Sequence, residues 1–337
     1  MKLYCGIDLH SNNHYVSIID EQDKPVYQKR LQNDLTMTLQ VLEPYRQQLA
    51  GIAVESTFNW YWLVDGLLDA NYAVDLVNTS AVKQYEGLKH TDDKHDAFWL
   101  AHLMRLGILP TGYIYPKDQR AVRDLLRTRL HLVQQRTKHV LSVQNQYWRS
   151  HGVKLKSADI KRCQENLLTS VRDPHVALAM RSQLTVIESI NRQIQHIEQT
   201  TQHQCARRPE FALLKTVQGV GVTLAQTIML ETGSIHRFPS VGHFSSYCRC
   251  VDSKKTSNGK KKGEGNTKNG NKYLVWAFVE VVYFAARFYE TAGKFYQRKL
   301  AQRNRIVATK ALAHKLARAS FYVMRDRVPF KPDMLFH

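Results

Sequence analysis

"LYCGIDLHSNNHYVSIIDEQDKPVYQKRLQN" (residues 3–33) alternates apolar and polar side chains at the two-residue period of a half-buried strand. It breaks at the polar turn around Asp23 and Lys24, so the spacing predicts two or three antiparallel strands. Downstream, "IAVEST" (52–57) and "YAVDLVN" (72–78) are short apolar strands, and helical sequence runs over 34–48, 58–70 and 93–107. A hairpin followed by strands that alternate with helices predicts a mixed α/β sheet.

The acidic residues fall at telling places in that pattern. Asp8 sits within the first strand, Glu55 ends the strand "IAVE", and "TDDKHDAFWLA" (91–101) crowds three aspartates into a helix opening. At about 100° per residue, Asp93 and Asp96 lie ~60° apart and Asp92 and Asp96 ~40° apart, so either pair shares a face. An acid in the first turn is also favoured by the helix dipole, which is the reading taken for Asp92. Carboxylates on adjacent strands and a nearby helix have the layout of a ribonuclease H-like nuclease. Hard oxygen ligands suit Mg²⁺, with Mn²⁺ as a substitute, and a two-metal site can stabilise the entering and leaving oxygens of phosphoryl transfer. "GID" also opens actin-like ATPase folds, but the turn that holds phosphate there is rich in Gly and Thr, and "LHSNN" is not.

Charge points the same way. The 337-residue chain has a formal net charge of +19. Residues 1–112 carry 9 Lys and Arg against 14 Asp and Glu, whereas the remainder carries 39 against 15. An excess of this kind predicts a polyanionic partner, nucleic acid foremost, because neutralising phosphates releases counterions. An acidic module that works on a polyanion needs cations between the two, and a divalent metal would serve. The five cysteines show no metal-binding spacing and read as reduced. No leader and no membrane-spanning run is evident, which predicts a cytoplasmic protein with no membrane partner.

From Pro116 the texture becomes helical. Leu126, Val133, Val140 and Tyr147 recur every seven residues; in a second helix Val176, Ile190 and Ile197 fit heptad position a and Met180, Ile187 and Ile194 position d, with Gln183 the polar exception. The pattern predicts a coiled-coil hairpin, or else a plain helical bundle core, and its apolar seam favours self-association. "LLKTVQGVGVTLAQTIML" (213–230) reads as a helix-hairpin-helix-like turn at Gly219 and Gly221, where backbone N–H groups could receive a phosphate, or as a tight corner between helices. "KKTSNGKKKGEGNTKNGNK" (254–272) holds seven Lys and four Gly between apolar helices and reads as a mobile basic insertion. Lys254, Lys255, Lys260, Lys261, Lys262, Lys268 and Lys272 are its candidate nucleic-acid contacts.

The ordered set "GIDLH", "VEST", "DKHDA", "VQGVGVTLA", "RFPSVGHFSSYC", "SNGKKKGEGNTKNGNKYL" and "ATKALAHKLARASFYVM" resembles the DEDD-type insertion-sequence transposases of the one-ten/eleven-eleven group, which includes Piv-type DNA invertases. The likeness spans nearly the whole chain. It implies three parts: a RuvC-like domain over 1–112, a coiled-coil or helical linker over 113–205, and a mainly helical transposase domain over 206–337. It also implies acidic ligands at Asp8, Glu55, Asp93 and Asp96, and a catalytic serine at Ser257, with Ser253 close by and Asn258 standing where Gly is common. By the same likeness the chain would be a bridge-RNA-guided recombinase acting at the bacterial nucleoid. Donor and target DNA would be chosen by a structured noncoding RNA, and the acidic site of one protomer would meet the serine of another in dimers and tetramers. The competing expectation is a RuvC-like structure-specific endonuclease that only hydrolyses DNA.

Overall fold

The computed structural model describes residues 1–82, 92–162, 168–251, 255–263 and 269–335. The chain divides into two compact units, Met1–Lys117 and Asp118–His337.

In the first unit β1 (Leu3–Leu9), β2 (Asn13–Ile19) and β3 (Pro25–Gln32) form the expected antiparallel meander, and β4 (Leu49–Glu55) and β5 (Val74–Val77) add in parallel on the other side of β1. The five strands lie in the order β3-β2-β1-β4-β5. Helices α1 (Leu35–Leu42), α2 (Tyr61–Asp69), α3 (Thr79–Val82) and α4 (Asp93–Arg105) complete the unit. The helix expected to reach residue 48 stops at Leu42 and tightens into a 3-10 turn over Glu43–Tyr45, where Pro44 has no N–H to continue it.

Strand alternation sorts β1 cleanly. Leu3, Cys5, Ile7 and Leu9 join Ile52 and Val54 of β4 and the α2 residues Leu63, Val64 and Leu67 in one core. The intervening Gly6 and Asp8 therefore face the opposite side, as do Gly51, Ala53 and Glu55 on β4. That second face carries small residues because α4 lies on it: a Cβ on Gly6 would stand 2.0 Å from the carbonyl oxygen of Ala97 and 2.7 Å from the amide of Ala101. Ala53, Val77, Leu100 and Leu103 then close a second, smaller core.

Both ends of α4 are tied to the hairpin beside β1. At its C-terminal end Arg105 donates from Nε to Asp23 Oδ1 and from Nη2 to Asp23 Oδ2, each at 2.6 Å, and His102 Nδ1 lies 2.9 Å from the same carboxylate. Asp23 occupies the β2–β3 turn with φ +62°, a conformation that aspartate tolerates. Burial alone would raise its pKa, but the bonds from Arg105 and His102 outweigh it and hold the carboxyl below its usual 3.8. At the N-terminal end Arg30 of β3 donates to Asp93 Oδ2 at 2.6 Å.

The second unit opens with two long helices, α5 (Lys117–His151) and α7 (Pro174–Ala206), with the short α6 (Ser157–Arg162) between them in sequence. Arg129 pairs with Glu198, Arg136 with Asn191 and His139 with Gln183, so the helices run antiparallel; Gln183, the polar break in the heptad, is matched across the seam. Met180, Ile187, Ile190, Ile194 and Ile197 are buried as the heptad requires. The helices α8 (Pro209–Leu214), α9 (Val222–Thr232), α10 (Val241–Tyr247), α11 (Lys272–Phe288), α12 (Glu290–Gln302) and α13 (Arg305–Asp326) gather around Phe244, Phe278 and Phe321.

Among the described residues no helix is long and apolar enough to cross a membrane. The described cysteines, Cys5, Cys205, Cys248 and Cys250, are free and buried, and burial pushes their thiols up, to about 12 for Cys250. Cys163 lies outside the described residues.

Two outcomes follow from the α4 clamps. Replacing Gly6 by Ala forces backbone against backbone and should cost on the order of 3 kcal/mol in denaturant titration, whereas Gly221→Ala, which meets nothing within 4 Å, should cost far less. Arg105→Gln should cost roughly 1 kcal/mol at neutral pH. Because the folded Asp23 pKa is depressed, that difference is present above pH 3.8 and should fade as pH falls through the lower folded value, which melting curves across acid pH would reveal.

Candidate metal centre

The carboxyl ends of β1 and β4 and the start of α4 converge on the face that Gly6 leaves open. One residue beyond the paired Ile7 and Val54, Asp8 and Glu55 are neighbours on parallel strands and point to the same side of the sheet. Ala97, which rests on Gly6, is one turn along α4 from Asp93, so the same contact carries Asp93 over Asp8. Asp92 caps the helix by accepting from the amide of His95 at 2.7 Å, as its reading as a helix-terminal charge expects. Asp93 thus takes the first helical position and Asp96 an exposed one a turn further on.

The tightest group contains a residue that sequence reasoning missed. His10 Nε2 lies 3.1 Å from Asp8 Oδ2 and 3.2 Å from Asp93 Oδ1. Donor atoms of Asp8, His10 and Asp93 all lie within 4.8 Å of one another; Glu55 and Asp96 are not members of this group. The turn bearing His10 is fixed by its backbone, since its carbonyl accepts from the side-chain amides of Asn33 and Asn59, both at 3.0 Å. The "GIDLH" motif held the signal, because residues 8 and 10 of an extended strand project to one side.

Asp8 is 3% exposed, and its Oδ2, like His10 Nε2, is a buried atom with no hydrogen-bond partner among the described residues. The 3.1 Å approach suits an ion pair, but its angles do not make a hydrogen bond. A buried carboxylate oxygen left without a donor costs roughly 1–3 kcal/mol or more. Two carboxylates that converge on one point, where the His10 imidazole stands, form a donor set that a divalent cation would satisfy, the oxygens suiting Mg²⁺ or Mn²⁺.

The second unit carries the remaining candidates. Gly219 has φ +86°, and a Cβ there would meet Val281 O of α11 at 2.5 Å, so helix packing already demands this glycine. Gly221 caps α9 without a side-chain bond, beside a cleft of about 450 Å³ lined also by Phe284, Phe288 and Tyr289. The basic insertion is a hairpin rather than a structureless loop: β6 (Lys255–Ser257) pairs with β7 (Lys260–Gly263), and Asn258 and Gly259 make the two-residue turn at φ +51° and +71°. Asn-Gly is the preferred pair for such a turn, which explains Asn258, and the dipeptide could have been read from the sequence. Ser257 is exposed at the tip and sits opposite Lys260 in the ladder; Lys262 is exposed on β7. Lys272 begins α11, its Nζ 5.2 Å over the ring of Tyr273. Lys255 and Lys261 belong to the two strands, while Ser253, Lys254 and Lys268 lie outside the described residues.

The returning chain is anchored by a buried network. Asn271 caps α11 through Tyr273 N and Leu274 N and donates to Glu231 Oε2 at 2.7 Å. Glu231 also takes two bonds from Arg127, at 2.6 and 2.7 Å. Burial works against the Arg127 charge, but Glu231 outweighs it and holds the guanidinium pKa above its usual value.

Residues 5–146 match the DEDD transposase model of the IS110 group, and residues 211–297 match the model described as transposase, IS116/IS110/IS902 family. The chain belongs to this transposase family. As a transposase it acts on DNA, and the two matched segments contain the acidic centre and the lysine-rich hairpin respectively. No curated protein matches the chain significantly.

For the transposase, Mn²⁺ or Mg²⁺ should raise the melting temperature, by the equivalent of about 2.7 kcal/mol at a hundred times the dissociation constant. Asp8→Asn should abolish that gain yet leave the metal-free protein at least as stable, since it removes a buried charge that stands beside a second carboxylate and accepts no hydrogen bond at Oδ2. Calorimetric scans with and without metal decide it; an unchanged metal response in the variant would show that Asp8 is no ligand.

Proposed function

We propose that this transposase cuts and rejoins DNA through an acidic metal centre and the hydroxyl of Ser257, on a RuvC-like, ribonuclease H-type first domain. The observation that carries the reading is the buried Asp8 oxygen that accepts no hydrogen bond among the described residues and faces Asp93 at the carboxyl ends of the parallel strands. Three antiparallel strands continued by two parallel ones in the order β3-β2-β1-β4-β5 support the ribonuclease H-type reading. In this proposal Asp8 and Asp93 hold the ion directly. Glu55, on the same face, and Asp96, one turn along α4, complete the set, and His10 occupies the cation's place until it binds. A divalent ion, Mg²⁺ foremost and as a pair when both sites fill, supplies charge stabilisation for the phosphorus undergoing substitution.

The chain's own part is as follows. Ser257 Oγ attacks a strand phosphorus, the Oγ–P bond forms, the P–O3′ bond breaks, and the hydroxyl proton ends on the departing 3′-oxygen. The phosphoserine ester conserves the bond energy, so a different 3′-hydroxyl can reverse the step and reseal DNA without a nucleotide cofactor. Lys260, opposite Ser257, and the neighbouring lysines hold the phosphate backbone. The exposed hairpin tip supports a nucleophile that must reach into its substrate.

We further propose that the division into parts at 1–112, 113–205 and 206–337 matches three tasks: metal centre, self-association through a coiled-coil α5–α7 hairpin, and strand joining. A structured guide RNA selects donor and target, its phosphates recognised by the basic second unit, and the working form is a dimer or tetramer at the nucleoid.

Ser257→Ala should lose cleavage together with covalent protein–DNA adducts and joined products, and Asp8→Ala should lower cleavage by ~10³-fold or more. Efficient joining by Ser257→Ala would sink the serine assignment; continued cutting without joining or adducts would favour the hydrolytic endonuclease. Ribonuclease treatment before DNA is added should remove site-specific products, and their persistence would eliminate the guide.

A further inference from the structure

A cavity of about 740 Å³ lies between α13 and the segment that follows it, far in sequence from both the acids and the lysine-rich hairpin. The segment is held over α13 at two points. The Phe330 amide donates to Thr216 Oγ1 at 2.8 Å, and Lys315 Nζ donates to the Leu335 carbonyl at 2.7 Å. Between these anchors Pro332–Met334 makes a single 3-10 turn that forms part of the cavity wall.

The lining is of two kinds. Val323, Val328, Phe330 and Met334 supply apolar surface, and Tyr322 adds an aromatic face that is 37% exposed, with the Arg325 guanidinium 4.8 Å from its ring centre. Four cations, Lys315, Arg318, Arg325 and Lys331, line the same space. The carboxylate in the lining, Asp326, is engaged by Arg325 at 2.6 and 3.0 Å. Positive charge thus outweighs negative, and the Lys315 pKa lies below the usual lysine range, through burial first and then through Arg298, Arg318 and Lys299. Cations gathered this closely repel one another, and an anion relieves the repulsion.

A ligand for such a cavity must be flat and apolar at one end and anionic at the other. An acidic peptide meets the second requirement and leaves the aromatic face unused. A nucleotide meets both, since a base stacks on an aromatic or guanidinium plane while its phosphate takes the cations. The volume falls in the range that encloses ligands of this size.

We propose that this cavity receives one unpaired nucleotide of a nucleic-acid strand, its base against Tyr322 and Phe330 and its phosphate against Lys315, Arg318 and Lys331. The site is separate from the acidic centre and does not depend on how that centre works. It gives the basic unit a grip on unpaired strand that duplex cannot share, because a stacked and paired base is not free to enter.

The test uses the full chain and a short oligothymidylate bearing one 5-iodouracil. Ultraviolet crosslinking followed by peptide mapping should place the adduct within residues 315–335. Tyr322→Ala and Lys331→Glu, both at exposed positions, should each weaken binding roughly tenfold without moving the melting temperature. Thymidine monophosphate should compete for the crosslink. An oligouridylate of equal length shows whether RNA or DNA is preferred, and binding of either at this site supports the proposal. Adducts confined to residues 255–263, unchanged affinity in both variants, equal competition by duplex, or displacement by a glutamate-rich peptide as effective as by the monophosphate would each overturn it.

Discussion

The first unit depends on the approach of α4 to β1 over Gly6. Any side chain at that position would occupy the space of the Ala97 carbonyl, 2.0 Å from the site of a Cβ, so the helix could not lie against the strand. The contact is backbone on backbone, and it fixes height as well as direction: with Ala97 on Gly6, Asp93 stands one turn back along α4, at the level of Asp8. A larger side chain would lift the helix and part the two carboxylates. The glycine therefore sets the spacing of the two carboxylates without touching either, through the distance between two elements.

What that geometry maintains is locally unfavourable. Asp8 is buried beside another carboxylate, with an oxygen that no donor satisfies, and hydrophobic packing around Leu3, Cys5, Ile7 and Leu9 on the far side of β1 must bear the cost. The clamps at the two ends of α4 have the same logic. Arg30 holds Asp93 and Arg105 holds Asp23, so the helix cannot slide or tilt to relieve the crowded acids. Bidentate bonding by Arg105 fixes orientation as well as distance, which a lysine at that position would not do.

Much of this was legible in the chain. The two-residue period of 3–33 gave the meander, the short apolar runs gave β4 and β5, and the heptads gave the buried face of α7, because each is a local pattern with a single physical cause. Asp8 and Asp93 were legible as candidates, and the structure brings these two together, whereas Glu55 and Asp96, which complete the set that the family resemblance implies, are not members of the tight group. The role of Asp92 as a cap needed the backbone angles to separate it from its neighbour. For His10 the two-residue spacing from Asp8 gives only a direction; its place also depends on the Asn33 and Asn59 amides that hold its loop, one of them 49 residues away. The Arg127–Glu231 pair, 104 residues apart, was illegible for the same reason. The hairpin differs in kind: the Asn258–Gly259 dipeptide that decides the turn stands in the sequence, amid seven lysines whose composition alone reads as a loop.

That hairpin is a polar ribbon within a packed, mainly helical unit. Its few backbone pairs and lysine side chains cannot build a core, and an isolated two-stranded ribbon is marginal in water. The described chain is fastened again at residues 269–271. Gly270 packs where a Cβ would stand 2.5 Å from the Tyr247 carbonyl, Arg249 donates to the Asn269 and Gly270 carbonyls, and Asn271 is fastened at once to α11 and to buried Glu231. The anchor fixes the chain at residues 269–271, where α11 begins, and Ser257 stands exposed beside the turn. A serine held rigidly in the core could not meet a strand brought in from outside, and one on an untethered loop would lose far more entropy in meeting it. Under the proposal that Ser257 is the nucleophile, its exposed place beside the turn of a two-residue hairpin lies between these extremes.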